Sequence, residues 1–136
     1  MRSKIEVIMP GYQPAGGELI VASRVLKTLT IANGASVSDS IYLAATNLLG
    51  FVMPATWTSA ALTIEVSNDG VTFYPCYDYV GAQAGYIASP AVSSAYAVDL
   101  SALLPWRYAR FRSGTAAAPV SQLADRSIVV VTRGLA

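Results

Sequence analysis

The stretch Leu62-Thr63-Ile64-Glu65-Val66-Ser67-Asn68-Asp69-Gly70-Val71-Thr72-Phe73-Tyr74 decides the fold. In its first six residues Leu62, Ile64 and Val66 alternate with Thr63, Glu65 and Ser67, the two-residue period of an extended strand with one apolar and one polar face. A helix would space its apolar residues three and four apart. Asn68-Asp69-Gly70 follows, and these residue types tolerate the positive φ that a tight hairpin needs. The chain then resumes with the β-formers Val71-Thr72-Phe73-Tyr74. The reading is a half-buried strand, a hairpin and a second strand over 71–74.

Working outward, the same signals predict strands over 19–31, closed by the turn Asn33-Gly34, and over 36–43, 48–53, 95–100, 106–113 and 127–133. About eight strands, separated by turns at intervals of roughly 10 to 20 residues, make an all-β sandwich or jelly roll. Helical pattern is confined to 101–104, halted by Pro105, and a turn near 121–124. Residues 1–17 carry Pro10, Gly11, Pro14, Gly16 and Gly17 and read as an extended N-terminal arm. Residues 18–136 are then one jelly-roll β-sandwich domain.

A chain of 136 residues has the size of one domain. It can bury about two-thirds of its unfolded surface, so the core needs no disulfide or metal staple. Hydrophobic residues make up 54% of it and charged residues 12%, against about 25% charged in an ordinary soluble domain. A spanning helix needs about 20 consecutive apolar residues. The longest apolar run, 41–55, is broken by Thr46, Asn47, Gly50 and Pro54. The first residues, with Lys4, Glu6 and Pro10, hold no signal-peptide hydrophobic region, so synthesis in a host cytoplasm without a cleaved leader is expected. The excess apolar surface is therefore assigned to contact with other protein subunits.

Cys76 is the only cysteine and there is no histidine. No intrachain disulfide can form, and zinc sites and nucleophile–histidine pairs lack their parts. No enzyme activity, metal or cofactor is expected. Cys76 has no basic neighbour in sequence and reads as a small buried hydrophobe, while Asp69 and Asp78 read as turn carboxylates; a pair of catalytic carboxylates would need a pocket that splits their pKa values. Residues 28–106 contain Asp39, Glu65, Asp69, Asp78 and Asp99 but no Lys or Arg. The nine basic residues lie at the two ends, which suits terminal strands pairing with acidic middle strands or a basic patch facing an acidic partner. A net charge of +1 argues against nucleic acid.

Val66-Ser67-Asn68-Asp69-Gly70-Val71-Thr72-Phe73 resembles the hairpin of discoidin-like (galactose-binding-like) jelly rolls, and Arg107-Tyr108-Ala109-Arg110-Phe111 resembles a basic-aromatic strand of the same group. Together with Leu49-Gly50-Phe51-Val52-Met53-Pro54, Trp57, Arg112-Ser113-Gly114-Thr115 and Asp125-Arg126, the chain resembles the capsid cement (decoration) proteins of tailed bacteriophages. The resemblance implies a jelly roll that sits as homodimers on the outer capsid surface of the virion and clamps neighbouring major capsid proteins. It brings no catalytic residues, no cofactor and no nucleic-acid or membrane partner.

Interface anchors are commonly Trp, Tyr and Arg. The candidates are Tyr12, Trp57, Tyr77, Tyr79, Tyr86, Arg110 and Arg112, with Tyr77, Tyr79 and Tyr86 in a Gly- and Ala-rich loop and Arg110 and Arg112 on one solvated or partner-facing side of their strand. Tyr74 and Trp106 read as core. Two other functions fit the same pattern: a tail, baseplate or fibre subunit, and a carbohydrate-binding module that stacks sugars on Trp57 or the loop tyrosines.

Overall fold

The computed structural model describes residues 24–134. Its strands are β1 (Arg24–Ile31), β2 (Ile41–Tyr42), β3 (Thr46–Val52), β4 (Leu62–Ser67), β5 (Tyr74–Pro75), β6 (Ala95–Ala97), β7 (Tyr108–Ser113) and β8 (Arg126–Gly134), with one short helix, α1 (Leu100–Leu103). They form two four-stranded antiparallel sheets, ordered β1-β8-β3-β6 and β2-β7-β4-β5. The pairing is nested: first strand with last, second with seventh, third with sixth, fourth with fifth. The all-β sandwich expected from the strand periodicity is present.

Alternation builds the core between the sheets. Leu29, Ile31, Leu48, Phe51, Ile128 and Val130 of one sheet pack toward Ile41, Leu62, Ile64, Val66, Ala109 and Phe111 of the other, and all are buried. Phe51 meets Phe111 edge-on across the layer at 4.8 Å between ring centres. Each of these Leu, Ile, Val and Phe side chains contributes about 1.5–3 kcal/mol by leaving water.

Several sequence boundaries shift. The strand expected over 71–74 is reduced to Tyr74–Pro75, because the Asp69 carboxylate accepts hydrogen bonds from the Val71 and Thr72 amides and holds the chain in a wide turn. Tyr74, expected in the core, is 59% exposed on the short edge strand. The strand over 36–43 survives as β2 and isolated bridges at Val37 and Ser38, and that over 95–100 as β6, after which the chain enters α1. Residues 123–124 form a bend with no helical turn. The arm over 1–17 and residues 19–23 of the first expected strand lie outside the described residues.

The larger correction concerns β4, which is buried on both faces. Thr63 donates from its hydroxyl to the Gly114 carbonyl, and Ser67 Oγ receives the Asp69 and Gly70 amides. Glu65 sits opposite Arg110 and accepts from Arg110 Nε at 2.8 Å and Arg112 Nη1 at 2.6 Å. Arg112, expected on a solvated or partner-facing side, is 4% exposed. Arg110 is half-buried, with its guanidinium 3.9 Å from the centre of the Phe73 ring. The pairing of basic terminal strands with acidic middle strands is thus realised inside the chain.

Candidate interaction surface

The middle of the β1-β8-β3-β6 sheet face that points away from the core is largely apolar. Register places Leu26, Val131, Gly50 and Ala97 in one row across the four strands and Thr28, Val129, Val52 and Ala95 in the next. Val129 and Val131 alternate with buried Ile128 and Val130, so they stand on the opposite face and remain half-exposed. Leu26 is 66% exposed and Val52 38%. Small side chains on β3 and β6 leave a shallow depression of about 340 Å³ over Gly50, Val52, Ala95, Ala97 and Val131, with Arg24 at its border. Gly50 is required there: a Cβ would lie 2.7 Å from the Tyr96 carbonyl oxygen of the neighbouring strand. A bulge between Leu48 and Gly50 keeps Leu48 in the core while Gly50 and Val52 share the outer face. Arg24 and Arg133 pair across one end of this face.

The sequence-predicted candidates do not converge on it. Trp57 is half-buried against the core, and its indole N–H donates to the Ala60 carbonyl at 3.1 Å. Arg110 and Arg112 belong to the ion-paired network around Glu65 on the other sheet. Tyr12 lies outside the described residues. Tyr86 borders a cleft of about 270 Å³ that includes Tyr96 and Ala97, so it adjoins the β6 edge of the apolar face. Tyr77 and Tyr79 line a separate cleft against α1 and Trp106. The sequence signal for the apolar face was Ile128-Val129-Val130-Val131, which lacks the alternation of β4 because its two faces are both apolar.

Titratable groups have structural surroundings. Burial pushes the Cys76 thiol above its ordinary value, with the Asp78 carboxylate adding in the same direction. The Asp69 carboxyl is held below its ordinary value, first by the Val71 and Thr72 amides and then by the Ser67 hydroxyl. Among the described residues, no three His, Cys, Asp or Glu side chains are grouped as metal ligands, and no helix is long and apolar enough to cross a membrane.

Among the described residues these features define an antiparallel β-sandwich with an uncovered apolar sheet face. The solved structures include one of similar fold, the crystal structure of the SPBc2 prophage-derived protein YomS; it has a TM-score of 0.50 and 11% identity, and the match covers 86% of this chain and 100% of that one. No family model and no curated protein matches the sequence.

Proposed function

We propose that this chain is a structural protein of a tailed-bacteriophage virion that binds the outer surface of the assembled capsid and cements neighbouring major capsid proteins. The observation that carries the proposal is the open face of the β1-β8-β3-β6 sheet, where exposed Leu26 and Val52 stand beside Val129 and Val131 with no charged residue in either row. Such a face offers a protein partner an apolar docking area. The prophage origin of YomS, and the sequence resemblance to cement proteins, support the phage setting. The nested strand pairing supports the jelly-roll form of the sandwich.

Strand and row spacings give this face an area of a few hundred Å², roughly half of what one partner contributes to a standard interface. A single contact of that size is weak. Repetition over a lattice converts it into tight attachment, because a ligand that bridges subunits gains from multivalency and binds the assembled shell in preference to free subunits. Homodimer formation would double the points of attachment.

Co-sedimentation of the purified chain with particles of its phage made without it tests the proposal. The wild-type chain saturates the particles at a fixed ratio, and the folded double variant Leu26→Glu, Val52→Glu binds at least about tenfold more weakly, since each change puts a charge where apolar area is buried. Equal binding by the variant, or no binding by the wild type, overturns it.

A further inference from the structure

The outer face of the β1-β8-β3-β6 sheet has one charged end. Arg24 of β1 and Arg133 of β8 are direct register partners, one row beyond Leu26 and Val131, and both are exposed. At the free edge of β1 the Thr30 amide and carbonyl bond to Asp39, so the even-numbered residues of this strand turn their backbone groups away from β8. The Arg24–Arg133 pair is therefore of the narrow, non-hydrogen-bonded kind, with Cα atoms about 4.5 Å apart and both side chains on the same face. Like charges placed directly opposite each other destabilise a sheet.

The counter-charge is not in the described part of the chain. Asp39, Glu65, Asp69, Asp78, Asp99 and Asp125 each accept hydrogen bonds elsewhere, from backbone amides or, for Glu65, from Arg110 and Arg112. Among the described residues neither Arg24 nor Arg133 forms an ion pair. At the far end of the face the pair Thr30–Ser127 is uncharged, with its hydroxyl oxygens 3.5 Å apart. The face thus grades from cationic through apolar to hydroxyl-bearing, and Arg24 borders the depression over Gly50, Ala97 and Val131.

We propose that this face, together with Arg24 and Arg133, recognises a partner segment that carries a carboxylate next to aliphatic side chains. The inference rests on the capsid-binding reading and specifies the chemistry of the partner's surface. Rows on one face of a sheet lie about 6.6 to 6.8 Å apart along the strands, so the carboxylate stands about one row from the aliphatic side chain that enters the depression. An extended segment meets that spacing with residues i and i+2, a helix with i and i+4. Two adjacent guanidiniums can donate to both oxygens of one carboxylate, and apolar neighbours that exclude water strengthen the contact. A second copy of the same face does not supply the acid: its apolar rows hold no Asp or Glu, and a face-to-face pair leaves every arginine without a counter-charge. Nucleic acid is disfavoured, because two arginines beside an apolar surface neutralise few phosphates. With only one end of the face charged, the carboxylate also fixes the partner's direction.

The double variant Arg24→Gln, Arg133→Gln tests the inference in two measurements. In the free full-length chain, removing the like-charge pair is expected to leave the melting temperature unchanged or to raise it by up to about 3 °C. In co-sedimentation with particles at roughly 50 mM salt, the variant is expected to bind at least about tenfold more weakly than the wild type. Raising the salt to about 300 mM is expected to weaken the wild type more than the variant. A lowered melting temperature overturns the proposal, because the arginines then have an acidic partner within the chain, Glu6 or Glu18, which lie outside the described residues. Particle binding by the arginine variant equal to wild type, with the Leu26→Glu, Val52→Glu variant weakened, overturns it and leaves the capsid reading standing. No binding by the wild type overturns both. Retention of double-stranded DNA by the wild type and not by the arginine variant assigns the pair to phosphates and also overturns it.

Discussion

Replacing Glu65 by alanine is expected to be among the most damaging single changes in the sandwich. Its two oxygens each accept from a guanidinium, Arg110 at 2.8 Å and Arg112 at 2.6 Å, and the side chains of Arg112 and Glu65 are only 5% and 11% exposed. Arg112 Nη2 is buried with no hydrogen-bond partner among the described residues, so Glu65 supplies the charge that makes burial of this guanidinium tolerable. Removing one partner of such a buried pair leaves an uncompensated charge and costs about 3–5 kcal/mol. At this chain length, about 3 to 4 °C of melting temperature is lost for each kcal/mol, so a drop of about 10 to 20 °C is expected. Arg110→Ala should cost only about 1–2 kcal/mol, from one charge-assisted hydrogen bond and the stacking on Phe73, because its side chain is 26% exposed and water can replace part of the loss. Urea denaturation of the wild type, both variants and Glu65→Leu/Arg112→Met is the assay. The double variant, which removes the buried acid and its most buried base together, should recover much of the loss. A Glu65→Ala cost under about 1 kcal/mol, or a double variant no better than Glu65→Ala alone, would refute the assignment of this network as a buried, coupled pair.

Three further outcomes follow from local geometry. The Asp69 carboxyl, held below its ordinary value of 3.8 by the turn amides, contributes stability that is present above that value and lost as pH falls through the depressed folded value; Asp69→Asn should flatten the acid side of a melting-temperature profile between about pH 2 and 5. Gly114 has φ +91°, and a Cβ there would run into the backbone at Val120 and Pro119, so Gly114→Ala should destabilise the chain by about 1–3 kcal/mol in the same urea assay. Cys76, buried and with its thiol pushed up, should resist a thiol-specific reagent at pH 8 in the folded chain and react at once in denaturant.

What the sequence made legible were the local elements. The alternation of 62–67, the Asn68-Asp69-Gly70 turn and the stop at Pro105 each depend on neighbours within a few residues, and the structure places a strand, a turn and the end of α1 there. The polar face of β4 was misread because the partners that bury it are remote in sequence, Arg110 lying 45 residues from Glu65: Thr63 and Glu65 look like a solvent face until Arg112 and Arg110 are laid across them, and Ser67 turns to the Asp69 and Gly70 amides. The strand expected over 71–73 failed because the Asp69 carboxylate competes for the amides of Val71 and Thr72, and one side-chain acceptor outweighs the β-propensity of Val-Thr-Phe. The open sheet face stayed hidden because Val129 and Val131 sit between Ile128 and Val130, and an unbroken apolar run does not tell which side faces the core. Tyr77 and Tyr79 were placed in an exposed loop from composition, but the cleft they form with Trp106 depends on a fold-back of residues 76–84 against α1 that no local pattern encodes.

The most direct test of the capsid-binding role is the abundance of this chain in purified virions relative to the major capsid protein, by quantitative mass spectrometry. A cement protein that repeats with the lattice is expected at one copy per capsid subunit or a simple fraction of it. A few copies per particle would place the chain in the tail or at a vertex, and absence from virions would contradict a structural role in the particle altogether.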